Sequence, residues 1–184
     1  CKAFSSLIKS ASTSVQYFNF LGNGGMKAKY AQQLCDAFVD SESVVSVCGV
    51  CPEAKATSRD VTFGTFAASD AILLGGEMVK GASELTTLSL LGTPGDMPSK
   101  PLSYKYIFKA LEFTEGLLSL SCGQLTYAST EEGEELLLQL AASLAANTSL
   151  QTLCLRLEPA AKGEEDPATE VQCTAMLLQA IGGN

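Results

Sequence analysis

At 184 residues the chain can bury one sizeable core or several stacked units, and 46% hydrophobic against 17% charged residues argues against disorder throughout. Its formal net charge of −8, with Arg59 and Arg156 as its arginines, argues against a phosphate-binding surface and so against nucleic acid as a partner. No apolar run approaches the roughly 18 residues that a membrane span needs, so no membrane insertion is expected.

The amino end shows no charged-then-apolar leader, and Cys1 stands where a Met would begin a native chain, so more chain is expected before it. Phe4, Leu7 and Ile8 read as the tail of a helix leading into a first strand, Val15-Gln-Tyr-Phe18-Asn-Phe20. Gly22-Asn-Gly-Gly25 follows that strand but has neither form of phosphate loop, and it reads as a turn into a helix over 28–39. A second, weaker strand starts at Val44 and carries Cys48, which forms a C-x-x-C pair with Cys51. Zinc would need two further ligands, the chain contains no His, and Cys122, Cys154 and Cys173 lie singly in apolar stretches. The cysteines therefore read as small buried hydrophobes, with Cys48 on the strand face. That reading implies no metal, no cofactor and a reducing, intracellular setting, the cytoplasm.

Residues 51–65 read as a lengthened loop, followed by a helix over 66–80 in which Gly75-Gly76 marks a close contact or a kink. Leu85-Thr-Thr-Leu88-Ser-Leu90 is the third strand, and Thr93, Pro94, Pro98 and Pro101 lengthen the turn into a helix over 102–113. Leu117-Leu-Ser-Leu120-Ser-Cys122 is the fourth strand. A helix over 131–146 follows, opening with Glu131, Glu132, Glu134 and Glu135, where negative charge suits the helix dipole. The fifth strand lies in Asn147-Thr-Ser-Leu150-Gln-Thr-Leu153-Cys-Leu155, and a last helix is expected over 168–181. There Leu177, Ile181 and Asn184 repeat the spacing of Leu140, Leu144 and Asn147, so a further strand would begin near position 187.

The strands share the frame L-x-x-L-x-L and start at 15, 44, 85, 117 and 150, spacings of 29, 41, 32 and 33 residues. Ten and six residues before each start an apolar pair recurs: Leu34 and Phe38, Ile107 and Leu111, Leu140 and Leu144. A separation of four places each pair on one helix face, ready to pack against a sheet. Before Leu85 the pair is Gly75 and Val79, so that unit departs from the pattern. Leu85, Leu88, Leu90, Leu117, Leu120, Leu150, Leu153 and Leu155 are the expected sheet-to-helix core.

The segment from Leu140 through Asn147 to Leu155 resembles the helix-to-strand junction of the leucine-rich repeat family, in its long ribonuclease-inhibitor-like subclass. The likeness runs along nearly the whole chain and weakens in the second and third units. It implies an α/β fold: one domain over 1–184, a leucine-rich repeat solenoid with a curved parallel sheet, outer helices and about five repeats. Neither end shows a polar capping unit, which suits part of a longer solenoid or a chain held by neighbours.

Catalysis finds no footing. Without His the usual serine triad is excluded; Ser6 and Lys9 match a Ser–Lys spacing by chance, and Glu164 and Glu165 lie among Pro159, Gly163 and Pro167 with nothing apolar to raise a pKa. Binding is instead expected from residues between the apolar strand positions, which line the concave face: Tyr17, Asn19, Ser46, Thr87, Ser89, Ser119, Thr152 and Arg156. A solvated sheet surface fits the same residues. The expected function is non-enzymatic: a protein-interaction or scaffolding module within a larger protein or assembly. The resemblance leaves two alternatives, a GTPase-activating repeat protein and the ligand-sensing region of a receptor.

Overall fold

A computed structural model of the chain describes residues 2–10, 14–49, 58–63, 67–80, 86–92, 104–127 and 131–159, with backbone alone at 58–63, 91–92, 123–127, 131–134 and 155–159. Two helices, α1 (Lys2–Lys9) and α2 (Ala28–Val39), precede an alternating run. It goes β1 (Ser58–Phe63), α3 (Ala68–Lys80), β2 (Thr87–Gly92), α4 (Tyr104–Leu111), β3 (Ser119–Tyr127), α5 (Glu131–Ala146) and β4 (Thr152–Pro159). The four strands form one sheet in chain order, β1-β2-β3-β4, and every neighbouring pair is parallel. Parallel neighbours cannot be joined by a tight hairpin, so a helix spans each connection. The helices pack on one another in chain order as well, α1 on α2 through α4 on α5. Among the described residues no helix is long and apolar enough to cross a membrane.

The expected frame aligns the sheet in three units. Leu88, Leu120 and Leu153 are register partners across β2, β3 and β4, as are Thr87, Ser119 and Thr152. Leu88, Leu90, Leu117 and Leu120 are buried, while Leu150 and Leu153 are only partly so. The difference follows from position: among the described residues β4 has a strand neighbour on one side. The predicted burial of Leu85 and Leu155 lies outside the described residues, as does the expected last helix over 168–181. Leu34, Phe38, Ile107, Leu111, Leu140 and Leu144 are all buried, so the helix pairs face the core as their spacing requires.

The amino-terminal half differs from expectation. The strands expected at Val15 and Val44 make no ladder, only isolated bridges of opposite sense, Tyr17 with Ser46 in parallel and Asn19 with Cys48 antiparallel. Gly49, at φ +70°, then turns the chain through a left-handed conformation that a side chain would resist. The stretch read as a loop over 51–65 contains β1, whose Arg59 and Val61 take the register positions of Leu88 and Leu90. Measured from β1, the next unit starts after 29 residues, so the long spacing of 41 disappears.

Two turns are closed by matching polar contacts. The Lys80 ammonium donates to the carbonyls of Phe38, Ser41 and Val44 at 2.8, 2.7 and 2.6 Å, one in the last turn of α2 and two in the turn beyond it. It also sits 4.2 Å from the centroid of the Phe38 ring. At the end of α4, Asn147 Nδ2 donates to Leu111 and Thr114 at 2.7 and 3.0 Å, and Ser149 Oγ donates to Thr114 and Leu117 at 3.0 and 3.2 Å. Asn147 Oδ1 meanwhile accepts the Leu150 N–H at 2.7 Å, as Ser41 Oγ accepts that of Val44 at 3.2 Å. Ser41, Thr114 and Asn147, each three residues before a strand start, are all buried.

Buried acids tie α3 into the first units. Asp70, in the first turn of α3, accepts the Ala67 N–H at 3.1 Å, the backward half of a capping box. Its other oxygen accepts the Gly22 N–H at 2.9 Å, anchoring the glycine turn after residue 20. Glu77 accepts the Val47 N–H at 3.0 Å.

Candidate functional site

Side chains alternate across a strand, so the residues flanking the buried leucines emerge on the other face of the sheet. On that face Thr87, Ser119 and Thr152 form one row across β2, β3 and β4, and Ser89, Ser121 and Cys154 form the next. The β2 and β3 members are half-buried, and Thr152 and Cys154 are exposed. Neighbouring strands stand about 4.8 Å apart, so the rows present hydroxyls at a regular step. These groups donate and accept hydrogen bonds.

A β-bulge ends the regular part of the rows. The register shifts between Ser121 and Gly123, leaving Cys122 as the extra residue, and beyond it Gln124 pairs with Arg156. Cys122 points inward, where burial pushes its thiol up to about 12, and its carbonyl accepts the Tyr104 hydroxyl at 3.3 Å. Burial also pushes the Tyr104 phenol up. The Arg156 side chain lies outside the described residues.

The structure thus brings Thr87, Ser89, Ser119 and Thr152 together on one face. Tyr17 and Asn19 stand elsewhere, on the bridges to Ser46 and Cys48; Tyr17 is half-buried, and Asn19 is exposed and accepts the Leu21 N–H at 3.2 Å. Ser46 and Cys48, expected on the open face, are both fully buried. The correction has a physical cause: residues 46–48 run through the core with both faces covered, and Val47 sends its N–H to Glu77 of α3. Cys51 lies outside the described residues. Among the described residues no three Cys, Asp or Glu side chains gather as metal ligands.

A second feature escaped the repeat template. Ten of the thirteen residues of α3 are buried, Ser69 through Met78, so this helix is enclosed nearly all round. Gly75 and Gly76 permit it: a Cβ on Gly75 would stand 3.1 Å from the Tyr106 carbonyl of α4, and one on Gly76 would collide with Cys35 Sγ of α2. The glycine pair is a close contact on both flanks. Between the flanking helices lies a groove of about 560 Å³, floored by Ile72, Gly75, Gly76 and Val79. These four follow the i, i+3, i+4, i+7 spacing of a helix face. That spacing, apolar on the side away from the leucine core, is the signal in the sequence that would have found the groove.

Burial also pushes the Cys35 thiol beside this floor up to about 11, with Asp36 and Glu77 adding to the effect, so it is a poor nucleophile. No protein-family model matches the chain, and no curated protein matches it.

Proposed function

We propose that the chain is a leucine-rich repeat solenoid of the ribonuclease-inhibitor type that serves as a non-enzymatic protein-interaction or scaffolding module within a larger protein or assembly. The observation that carries this reading is the register of Leu88, Leu120 and Leu153 across three parallel strands, with one side of those strands in the core and the other presenting hydroxyls. Parallel sheets in doubly wound folds are covered on both faces and read as continuous apolar runs. Strict alternation in a parallel sheet with strands in chain order suits stacked repeats instead. The matching contacts made by Lys80 and by Asn147 with Ser149 add support, because they recur at equivalent points after α2 and after α4.

Partners are proteins on this reading, and the hydroxyl rows over β2 to β4 are its first contact surface. A reducing, intracellular setting goes with it, supported by the buried thiols of Cys35 and Cys122, which act as small hydrophobes. The test is co-purification from native material followed by reconstitution with the purified partner. A stoichiometric complex, weakened by Ser89→Arg or Thr152→Arg, is the expected result. Absence of any stoichiometric partner would sink the module reading, and stimulated GTP hydrolysis by a bound GTPase would replace it with the alternative catalytic-assistance role.

A further inference from the structure

We propose that the groove over α3 is a docking site for an amphipathic helix of a partner protein, with its apolar stripe in the groove and basic residues on the flank that lies along α2. The proposal rests on the interaction-module reading and names the surface and the kind of partner.

Direction comes from the lining. The lining runs from Gln32 to Asp40 along α2 and its cap, from Ile72 to Val79 along α3, and from Tyr106 to Phe113 along α4 and just past its end, so the groove follows each helix lengthwise for about two turns. A helix laid along such a groove offers anchors at the same i, i+3/i+4, i+7 spacing, and that is how amphipathic helices dock.

Apolar surface supplies the attraction. The exposed face of α2 is polar at Gln32, Gln33, Asp36 and Asp40, as expected of an outer helix. The α3 floor is apolar, and Val39, Val79 and Phe113 at its edges are 43%, 38% and 59% exposed. Side chains of that size gathered in one concave patch mark a binding surface rather than the scatter normal on a protein exterior.

Charge selects the occupant. The α2 wall carries Asp36 and Asp40, the α4 wall carries Lys109, and the whole chain carries −8. Asp36 is touched by Gln32, a neutral group, and Asp40 pairs with Lys9 at 3.3 Å with both side chains more than half exposed. An exposed pair of that kind is weak and exchanges readily for an incoming cation. A docked helix therefore places Lys or Arg toward α2, and an acidic residue toward Lys109 is tolerated on the opposite flank.

The test is a displayed library of amphipathic helical peptides of about four turns, with flank charges randomised, selected on the full chain. Enriched peptides should be basic on one flank, bind with micromolar affinity by fluorescence anisotropy, and weaken at least about tenfold with Val79→Glu and with Phe113→Asp. Both variants alter exposed side chains, and circular dichroism verifies that they fold. Asp36→Lys with Asp40→Lys should reverse the preference toward acidic flanks. Acidic-flanked winners on the native chain, binders indifferent to both groove variants, or no binders would each overturn the proposal. So would light scattering that finds a dimer broken by Val79→Glu, since the occupant would then be a second copy. If a reconstituted partner binds Val79→Glu and Phe113→Asp as well as the native chain, the groove fails while the module reading stands.

Discussion

Lys80 and Asn147 reach carbonyls at matching places in two turns that follow helices, those after α2 and α4, although one is a lysine at the end of a helix and the other an amide beyond one. Phe38 and Ser41 stand six and three residues before Val44, and Leu111 and Thr114 stand six and three before Leu117. Val44 is the third acceptor of Lys80, and Leu117 falls to Ser149 in the other turn. Removing Lys80 takes a donor from three buried carbonyls and removing Asn147 takes one from two, although Phe38 and Leu111 keep the backbone N–H of Ser41 and Thr114, and Thr114 keeps the Ser149 hydroxyl. A hydrogen bond to a charged group contributes about 1.5–3 kcal/mol, and each orphaned buried group costs about 1–3 kcal/mol. Lys80→Met and Asn147→Ala should each lower stability by about 2–3 kcal/mol in urea melts. Ser149→Ala, at a half-buried position, should cost less than Asn147→Ala, and the reverse order would refute the assignment.

Position in the sheet separates two leucines of equal size. Leu120 is fully buried between strand neighbours on both sides, whereas Leu153 on β4 is only partly covered. Leu120→Ala should cost about 3–5 kcal/mol, and Leu153→Ala clearly less. Equal losses in denaturant midpoint would mean that β4 is covered to the same degree as β3.

The glycine contacts differ in what could yield. Gly76 faces a side chain, Cys35, and Gly75 faces backbone at Tyr106. Gly76→Ala should destabilise by about 1–3 kcal/mol, and Cys35→Ala should rescue it in the double variant, giving a coupling of about 1 kcal/mol or more. A thermal-melt double-mutant cycle with no coupling would separate the two residues.

Cys122 predicts a pH dependence. Burial raises its folded pKa from an ordinary 9.0 to about 12, so above about 9 the unfolded chain releases a proton that the folded chain holds. The folded state binds more protons in that window, and stability falls as pH rises. The contribution of this thiol is complete below about 9 and is lost between there and about 12. In urea melts from pH 8 upward, Cys122→Ala should lose less stability per pH unit than the native chain. Parallel curves would show a thiol already in contact with water.

The parts of the fold legible beforehand are those where one periodicity suffices. Helices over 28–39 and 131–146 and the frame through Leu88, Leu120 and Leu153 follow from apolar spacing alone. β1 was missed because Arg59 sits at the register position of Leu88, where the frame wants an apolar residue, yet a ladder with β2 needs only backbone groups. Ser46 and Cys48 were placed on an open face by alternation, which holds only while a strand has a bare side; with Ser46, Val47 and Cys48 all fully buried, neither side is bare. The hydroxyl rows could be read because they depend on register. The groove could not, because a repeat template assigns each outer helix one apolar face, and Ile72, Gly75, Gly76 and Val79 give α3 a second.

An enclosed helix also sets a clock on synthesis. With Ser69 through Met78 all buried, α3 needs α2 on one flank and α4 on the other, and α4 ends at Leu111, 31 residues after Lys80. At ribosomal speeds of about 5–20 residues per second, that interval lasts about 2–6 s. Throughout it the nascent chain holds a helix that is apolar on two sides and sheltered on one. Synonymous codons that slow translation between Lys80 and Leu111 lengthen the exposure without altering a single residue of the finished protein.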